Sequence, residues 1–597
     1  MNASTERRRR ARRARPMIAL AAIAFVVGAI LGSAHRGSAQ QDMAEQFARA
    51  WARSDYVTMY DDIDDAAQQA ISPSAFAAAY QAAARTATTT SMRVIGPARP
   101  ASGEGSGAIT VPVRVRTRLF GSLSESFQMR IQNDPGGPRV AWSKTLVFPG
   151  LRAGEQLTRR TTLPPRAALL ARDGSVLADG PASAAGTRNS PLGAAAEAVV
   201  GDVGPIPAAR RAELESEGVP PEAIVGTSGL ELALDNRLRG IPGGDLLAGT
   251  RVLASAVAKP SAPVRTSISP ALQQAAATAL GGQLGGVVAM DPATGEILAV
   301  AGIGIDDLQP PGSTFKMVTV TAVLESKTAR ASTVFPYATS TTLDGAKLEN
   351  ANGESCGGSL ALAFAVSCNS VFAPLGVKVG APRLVATAES YGFNHPPTLA
   401  GAVESTIPPA SQIQGELALG STAIGQGQVQ ASALQMATVA ATIADGGTRP
   451  SPTFEVRHAT RPRVISAATA RTVRSLMIGV VREGTGTAAA IPGVTVAGKT
   501  GTAELGEPSC PSGSEHGAGE ESNKNGESDA SEDAESKQSG ENCSSGTNDP
   551  QNTDAWFAAF APALRPKIVV GVLLVKDGAG GETAAPVARQ VIEAALG

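Results

Sequence analysis

The most informative stretch of this 597-residue chain is Ser313-Thr314-Phe315-Lys316, which directly follows Pro310-Pro311-Gly312. The prolines disfavour a helix upstream and the glycine frees the turn, so a helix is predicted to begin at or next to Ser313. Positions three apart share a helix face, and the Lys316 amine is therefore predicted to reach the Ser313 hydroxyl. The helix would also direct its positive end and free N–H groups toward an oxyanion at the serine. The stretch thus predicts a serine nucleophile with its own base.

This first motif alone is expected by chance in a chain of this length, and a solvated lysine on an amphipathic helix is the alternative interpretation. Two later stretches make the serine interpretation specific: Ser367-Cys368-Asn369, the second motif, and Lys499-Thr500-Gly501-Thr502, the third. This ordered set is typical of penicillin-binding proteins and β-lactamases. The chain resembles a class B penicillin-binding protein, and the resemblance is most specific over its last half.

Histidine is scarce and scattered, which supports a lysine base. None of the four histidines lies in a context typical of a Ser-His-Asp triad, so another group has to accept the serine proton. Lysine can do so if burial or a neighbouring cation lowers its pKa, and Lys499 is the candidate for that cation. The cysteines lack zinc spacing, and neither a metal nor a cofactor is predicted. The histidines are His35, His395, His458 and His516.

The resemblance implies a peptidoglycan D,D-transpeptidase that is inhibited covalently by β-lactams. Ser313 would attack the penultimate D-alanine carbonyl of a stem peptide, and Lys316 would accept the serine proton. Ser367 would relay a proton toward the leaving amine, while Asn369 would hydrogen-bond the lysine or the substrate amide. An amine from a second stem peptide would then resolve the acyl-enzyme and complete the cross-link.

The third motif is implied to bind the substrate. Lys499, Thr500 and Thr502 would hold the substrate carboxylate, and the charge of Lys499 would favour a neutral Lys316. Gly501 would let the substrate backbone approach the strand. Backbone N–H groups of Ser313 and Thr502 would form the oxyanion hole.

Several alternatives remain at this point. A D,D-carboxypeptidase or a β-lactamase-like hydrolase would use water in place of the acceptor amine. A penicillin sensor would need further membrane spans and a cytoplasmic effector domain, which the sequence does not indicate. A non-catalytic scaffold for cell-wall assembly is the alternative of a different class. Because no glycosyltransferase domain fits the N-terminal region, a membrane glycosyltransferase is the predicted partner.

The N-terminal region predicts attachment to the bacterial cell membrane. A basic, arginine-rich tail at 1–16 precedes an uncharged apolar run at 17–34, which favours a single-pass anchor with its N-terminus in the cytoplasm. A cleavable signal peptide is the alternative, with Gly37 and Ala39 as small residues. Either interpretation places the catalytic domain outside the cytoplasm, where disulfides persist. A bridge between Cys356 and Cys368 would brace the second motif, and two free buried thiols are the alternative.

The remaining chain is predicted to be a multidomain α+β protein. Residues 41–155 resemble a nuclear-transport-factor-like α+β domain, and 156–264 resemble the pedestal or dimerisation domain of class B enzymes. Residues 265–597 resemble the transpeptidase domain of the penicillin-binding/serine β-lactamase-like fold, an antiparallel sheet flanked by helices. Within it, the acidic composition of 505–553 predicts a disordered insert, with metal binding by its carboxylates as the alternative. A net charge of −1 does not indicate the basic surface that nucleic-acid binding requires.

Helical spacing, β-branched runs and turn residues predict further helices and strands within these domains, and the resemblance implies the strand at 555–562. The predicted helices lie at 43–51, 74–85 and 583–596, and the predicted strands at 109–115, 140–143, 555–562 and 567–575, with a strand, a turn and a strand at 285–300.

Overall fold

The computed structural model describes residues 39–101, 107–181, 186, 188–399, 401–456, 461–505 and 552–597. The predicted basic tail, membrane anchor and nearly all of the predicted insert lie outside these residues, as do three of the four histidines. No helix within the described part of the chain is long and apolar enough to cross a membrane. The chain divides into two compact units, of which the first comprises 1–165, 205–223 and 239–261 and the second comprises 166–204, 224–238 and 262–597.

The first unit combines helices with two antiparallel sheets, one of five and one of three strands, in agreement with the α+β class that its predicted elements indicate. Its aromatic core includes Trp51, whose ring meets that of Phe127 edge-on at 4.9 Å. The helices are Ala39–Ala52, Tyr56–Asp61, Asp65–Ala70, Pro73–Thr86 and Arg211–Ser216. The strands are Thr89–Val94, Arg99–Pro100, Ala108–Thr117, Ser122–Asp134, Gly137–Val140, Leu157–Thr162, Gly243–Ala248 and Arg251–Ala256.

One predicted strand of this unit is wrong. The pattern at 140–143 predicts a strand, but the strand Gly137–Val140 ends where that prediction begins. The chain leaves the sheet because Trp142 packs its ring 5.4 Å from that of Phe76 and donates from Nε1 to the Tyr80 hydroxyl at 3.0 Å. Val140 still pairs with Ile131, and the Trp142 side chain packs into the aromatic core beyond the end of the strand.

The second unit begins with a small region that contains a buried ionic cluster. Arg166 donates to Glu231 at 2.6 Å and to Asp235 at 2.7 Å, and Arg188 donates to Glu231 at 2.7 Å. Because a buried charge without a partner is strongly destabilising, the four side chains depend on one another. The surrounding elements are strands Leu169–Leu170, Val176–Ala178, Val203–Pro205, Ile224–Gly226 and Val264–Arg265, and helices Ala194–Val200, Gly229–Ala233 and Asp235–Leu238.

The main part of the second unit is the predicted antiparallel sheet with helices on both faces. Its strands are β1 (Gly285–Met290), β2 (Ile297–Gly302), β3 (Ala497–Glu504), β4 (Thr553–Ala561) and β5 (Ile568–Leu574), in the spatial order β2-β1-β5-β4-β3. Its helices are α1 (Pro270–Leu280), α2 (Lys316–Glu325), α3 (Leu360–Ala365), α4 (Asn369–Val379), α5 (Ala381–Tyr391), α6 (Glu416–Ala423), α7 (Ala433–Ala444), α8 (Ala467–Glu483) and α9 (Ala584–Leu596).

Alternate residues of these strands face two separate cores, as the two-residue period of a strand requires. Val287 and Ala289 of β1 belong to the core that contains α1 and α9. Val288 and Met290 belong to the core that contains α2, α4 and α7. The strands predicted at 285–300, 555–562 and 567–575 and the helix at 583–596 are confirmed to within about two residues, as expected for element ends.

Two short hairpins lie between α2 and α3. One pairs Val334–Ala338 with Cys356–Ser359, and the other pairs Ser340–Leu343 with Ala346–Glu349. Cys356 begins the second strand of the first hairpin, and Asn350 directly follows the second strand of the other. Both residues lie next to the second motif.

Candidate active site

The first motif lies in a tight turn that leads into α2. Residues Gly312–Phe315 form one turn of 3-10 helix, and the α-helix begins at Lys316, so the predicted helix start is correct to within three residues. Gly312 has φ +50°, and a Cβ at this position would lie 2.6 Å from the Thr502 carbonyl oxygen. Only glycine fits both the left-handed backbone and the approach of β3. The turn thereby brings Ser313 to the strand that carries the third motif.

Lys316 is fully buried and makes contact with both of the first two motifs. Its Nζ lies 2.9 Å from Ser313 Oγ, 2.7 Å from the Ser367 carbonyl oxygen and 2.6 Å from Asn369 Oδ1. Burial, and then the charge of Lys499, lowers the pKa of Lys316 well below its usual range. A lysine in this environment is a base at neutral pH.

These contacts also determine where the basic lone pair points. A neutral amine has two N–H donors and one lone pair. The Ser367 carbonyl and Asn369 Oδ1 can only accept, so they take the two N–H groups and leave the lone pair for the Ser313 hydroxyl. The arrangement is that of a base aligned with its nucleophile.

Lys499 is also fully buried, and the Ser367 hydroxyl lies between the two lysines. Lys499 Nζ donates to Ser367 Oγ at 2.9 Å and to the Thr500 carbonyl at 2.9 Å, while Lys316 Nζ lies 3.3 Å from the same hydroxyl. Burial lowers the pKa of Lys499 to about 7. The Ser367 hydroxyl is therefore in contact with two amines whose pKa values are lowered from the usual range of lysine, so it lies on a path along which a proton can move.

The second motif is held in an unusual backbone conformation. Ser367 has φ +61°, a left-handed value that non-glycine residues adopt at a cost. Cys368 forms a disulfide with Cys356, and Asn369 is the first residue of α4. The bridge joins the second motif to the hairpin strand Cys356–Ser359, which confirms the predicted bridge over the alternative of two free thiols.

The third motif occupies β3, at the edge of the sheet. A Cβ on Gly501 would lie 2.8 Å from the Pro311 carbonyl oxygen and 2.9 Å from a Trp556 side-chain atom. Packing of the strand against the protein therefore already requires glycine here, apart from any approach of a substrate. The hydroxyl of Thr500 lies 2.6 Å from that of Thr485.

An open cleft of about 650 Å³ runs along these motifs. The predicted residues that line it are Ser313, Ser367, Asn369, Thr500, Gly501 and Thr502. Lys316 and Lys499 are buried beneath the cleft surface. Lys316 contacts the lining residue Ser313, and Lys499 contacts the lining residue Ser367. The wall also contains three acidic and five polar residues that were not predicted as site residues: Glu354, Glu504, Glu582, Asn350, Asn352, Gln426, Thr485 and Thr487.

Some of these additional residues had a signal in the sequence and others had none. Thr485 lies in Gly484-Thr485-Gly486, a stretch shared with the family, so its place in the site could have been inferred. Asn350 and the glutamates belong to no motif. His395, the histidine that falls within the described ranges, lines a separate cavity of about 90 Å³ and does not approach Ser313.

Comparison with known proteins identifies three regions of the chain. Residues 285–518 match the penicillin binding protein transpeptidase domain, 39–155 the NTF2-like N-terminal transpeptidase domain and 182–249 the penicillin-binding protein dimerisation domain. The predicted resemblance to a class B enzyme with a nuclear-transport-factor-like domain is confirmed.

Individual relatives agree with these matches. The chain is 33% identical over 411 residues to peptidoglycan D,D-transpeptidase PbpA of Mycobacterium tuberculosis, an alignment that covers 56% of this chain and 72% of the relative. The corresponding protein of Mycolicibacterium smegmatis is 34% identical over 401 residues, with the same coverage. The structure of penicillin-binding protein A from M. tuberculosis as a penicillin G acyl-enzyme complex superposes with a TM-score of 0.52 at 28% identity, covering 72% of this chain and 100% of that one.

The alignment with PbpA covers 72% of the relative's length. The transpeptidase-domain match at 285–518 includes Ser313, Lys316 and the third motif. On these grounds the chain belongs to the class B penicillin-binding proteins.

Proposed function

We propose that this protein is a peptidoglycan D,D-transpeptidase that cross-links stem peptides through an acyl-enzyme on Ser313. The observation that carries the proposal is the position of Lys316 Nζ, 2.9 Å from Ser313 Oγ with both of its N–H groups accepted elsewhere. The name of the relative, peptidoglycan D,D-transpeptidase PbpA, supports the same reaction. The penicillin G acyl-enzyme complex of penicillin-binding protein A from M. tuberculosis supports β-lactams as inhibitors.

The proposed reaction begins with attack of Ser313 Oγ on the carbonyl carbon of the penultimate D-alanine. The hydroxyl proton passes to Lys316 Nζ, and the oxyanion accepts hydrogen bonds from the N–H groups of Ser313 and Thr502. The C–N bond then breaks, and the terminal D-alanine amine leaves with a proton delivered through the Ser367 hydroxyl. An acceptor amine attacks the ester carbonyl, loses a proton to the site and restores the Ser313 hydroxyl as the new amide forms.

The substrate and the location of the enzyme follow from the same proposal. The substrate carboxylate would be held by the hydroxyls of Thr500 and Thr502 together with the charge of Lys499. The arginine-rich tail and the apolar run at 17–34 support a bacterial membrane anchor with the catalytic domain outside the cytoplasm. The chain polymerises no glycan in this proposal, so a membrane glycosyltransferase supplies the strands that it cross-links. The domain limits at 41, 156 and 265 stay predictions.

A hydrolase is the second candidate, because a carboxylate with a raised pKa lines the cleft. Glu504 lines the cleft, and burial raises its pKa. A group with that property can serve as a general base for deacylation. An experiment is therefore needed to distinguish transfer of the acyl group to an amine from its transfer to water.

The decisive experiment supplies a D-Ala-D-Ala pentapeptide donor with and without an amine acceptor. We expect the amide product to exceed the hydrolysis product when the acceptor is present, and penicillin G to remain on the protein for hours, measured by intact mass. Rapid release of the hydrolysed antibiotic, or exclusive hydrolysis of the pentapeptide, would assign the hydrolase.

The rate of acylation is expected to depend on pH as a bell-shaped curve. It rises as Lys316 loses its proton, at a pH well below that of an ordinary lysine, and it falls above a pH of about 7 as Lys499 loses its charge. The second-order rate constant reports these groups in the free enzyme.

The matched variant is Lys499→Met. It should lose the descending limb, react more slowly and shift the ascending limb to higher pH, because the like charge that lowers the pKa of Lys316 is gone. A wild-type rate that continues to rise to pH 9 would contradict the assignment of Lys499. Stopped-flow measurement with a chromogenic cephalosporin provides the rates.

A further inference from the structure

We propose that Asn350 is a positioning residue for the catalytic base. Acting through the carbonyl of Glu349, it would keep the Asn369 amide turned so that its oxygen faces Lys316. Neither Asn350 nor Glu349 belongs to the three motifs. The inference rests on the proposed function, because it concerns the step in which Ser313 is acylated.

The orientation of the Asn369 amide is determined by two different partners. Its Nδ2 donates to the Glu349 carbonyl at 2.9 Å, and its Oδ1 accepts from Lys316 Nζ at 2.6 Å. An amide carries its acceptor and its donors on opposite sides. A carbonyl that binds the NH₂ group therefore leaves the oxygen as the atom that faces the lysine, and the Glu349 carbonyl makes that selection.

Asn350 holds this carbonyl in place. Its side chain is 3% exposed and makes three hydrogen bonds to the backbone. Oδ1 accepts from the Ser370 N–H at 2.8 Å, while Nδ2 donates to the carbonyls of Ala338 at 2.7 Å and Glu354 at 2.9 Å. Ser370 follows Asn369 on α4. One side chain thus ties the segment that carries the Glu349 carbonyl to the helix turn that carries Asn369.

The chemical consequence concerns the lone pair of Lys316. With Asn369 Oδ1 and the Ser367 carbonyl accepting the two N–H groups, the lone pair is left for Ser313. If the amide turned over, Nδ2 would present a donor to Nζ and draw the lone pair away from the nucleophile. Asn350 then affects acylation without contact with the reacting atoms.

A double-mutant cycle tests this role, since residues that act through one contact are not additive. The limiting acylation rate and the reversible binding constant for penicillin G are measured for wild type, Asn350→Ala, Asn369→Ala and the double variant. We expect Asn350→Ala to lower the limiting rate about 10- to 100-fold, as a misplaced catalytic group does, with little change in binding. In the Asn369→Ala background, Asn350→Ala should lower the limiting rate by less than about threefold, because most of its effect acts through Asn369.

The matched control is Gln273→Ala, which removes a buried side chain with the same number of hydrogen bonds at a distance from the motifs. Gln273 donates to the carbonyls of Ala195 and Val300 and accepts from the Val300 N–H. Its loss should lower the melting temperature while leaving the acylation rate within about threefold of wild type, as expected for a site that shares no partner with the nucleophile.

The remaining outcomes are also decisive. Titration with labelled penicillin counts the folded, reactive fraction of each variant. If Asn350→Ala does not fold, Asn350→Asp keeps the acceptor for Ser370 and loses both donors, and it is compared at the rate maximum of its own pH profile. Additive losses in the cycle, or a wild-type rate in a folded Asn350 variant, would overturn the inference. Absence of any acylation of wild type at Ser313 would instead overturn the proposed function.

Discussion

Ser313→Ala is expected to abolish covalent labelling by penicillin G, because the alanine variant has no oxygen with which to form the ester. The change removes one hydroxyl from a partly exposed turn, so the free energy of unfolding should change by no more than about 0.5 kcal/mol. Reversible binding of the antibiotic should persist, since the cleft walls and the third motif are unchanged. Intact mass spectrometry detects the adduct, and peptide mapping locates it.

The control for this variant is Ser326→Ala, at the end of the same helix. The Ser326 hydroxyl bonds only to groups at that helix end and does not line the cleft. The Ser326→Ala variant should be labelled by penicillin G to the same extent as wild type. An adduct of unchanged yield on Ser313→Ala would place the nucleophile elsewhere and remove the basis of the proposed reaction. Retention of full cell-wall function by that variant in the host would favour the scaffold alternative.

Lys316→Met is expected to lower the limiting acylation rate by about a thousandfold, within the range that general base catalysis supplies. Methionine is similar in length to lysine but has no lone pair of sufficient basicity, so the Ser313 proton has no acceptor. The Ser367 carbonyl and Asn369 Oδ1 lose a donor, while a buried polar amine is replaced by an apolar side chain; these changes oppose one another in stability. The protein should therefore remain folded with a reactive serine that is poorly activated.

The measurement separates chemistry from binding. The rate at saturating penicillin should fall while the concentration that gives half of that rate stays within a few-fold of wild type, the pattern of an interaction made in the transition state. Lys378→Met, an exposed position on α4, is the matched control and should react normally. A rate within tenfold of wild type for Lys316→Met would show that another group accepts the serine proton.

Local patterns predicted the elements that carry the site, and the reasons are physical. The Pro-Pro-Gly turn and the i, i+3 spacing predicted the contact between Lys316 and Ser313, because both follow from backbone geometry within a few residues. Runs of β-branched residues with an Asp-Pro and Gly turn between them predicted β1 and β2, whose alternate side chains face two cores. The strand predicted at 140–143 ends early because Trp142 packs against Phe76 and bonds to Tyr80, contacts that the local pattern does not reveal.

Contacts between distant segments could not be predicted in the same way. The strand order β2-β1-β5-β4-β3 places the third motif at an edge, and no spacing in the chain encodes that order. The Glu349 carbonyl is a backbone group, which every residue has, and the Asn350 side chain bonds to backbone groups of other segments, so no motif marks either residue. The hydroxyl pair of Thr485 and Thr500 depends on how α8 leads into β3. Such features require the assembled fold.

The join between β3 and β4 separates the catalytic sheet from the acidic insert. The two strands pair from Ala497 with Phe560 to Glu504 with Thr553, and the Leu505 N–H then donates to the Asn552 carbonyl at 3.0 Å. The chain enters and leaves the insert at neighbouring points, so a short turn could connect the same two ends. A change in the length of the insert therefore need not disturb the pairing of β3, the strand that bears Lys499, with β4.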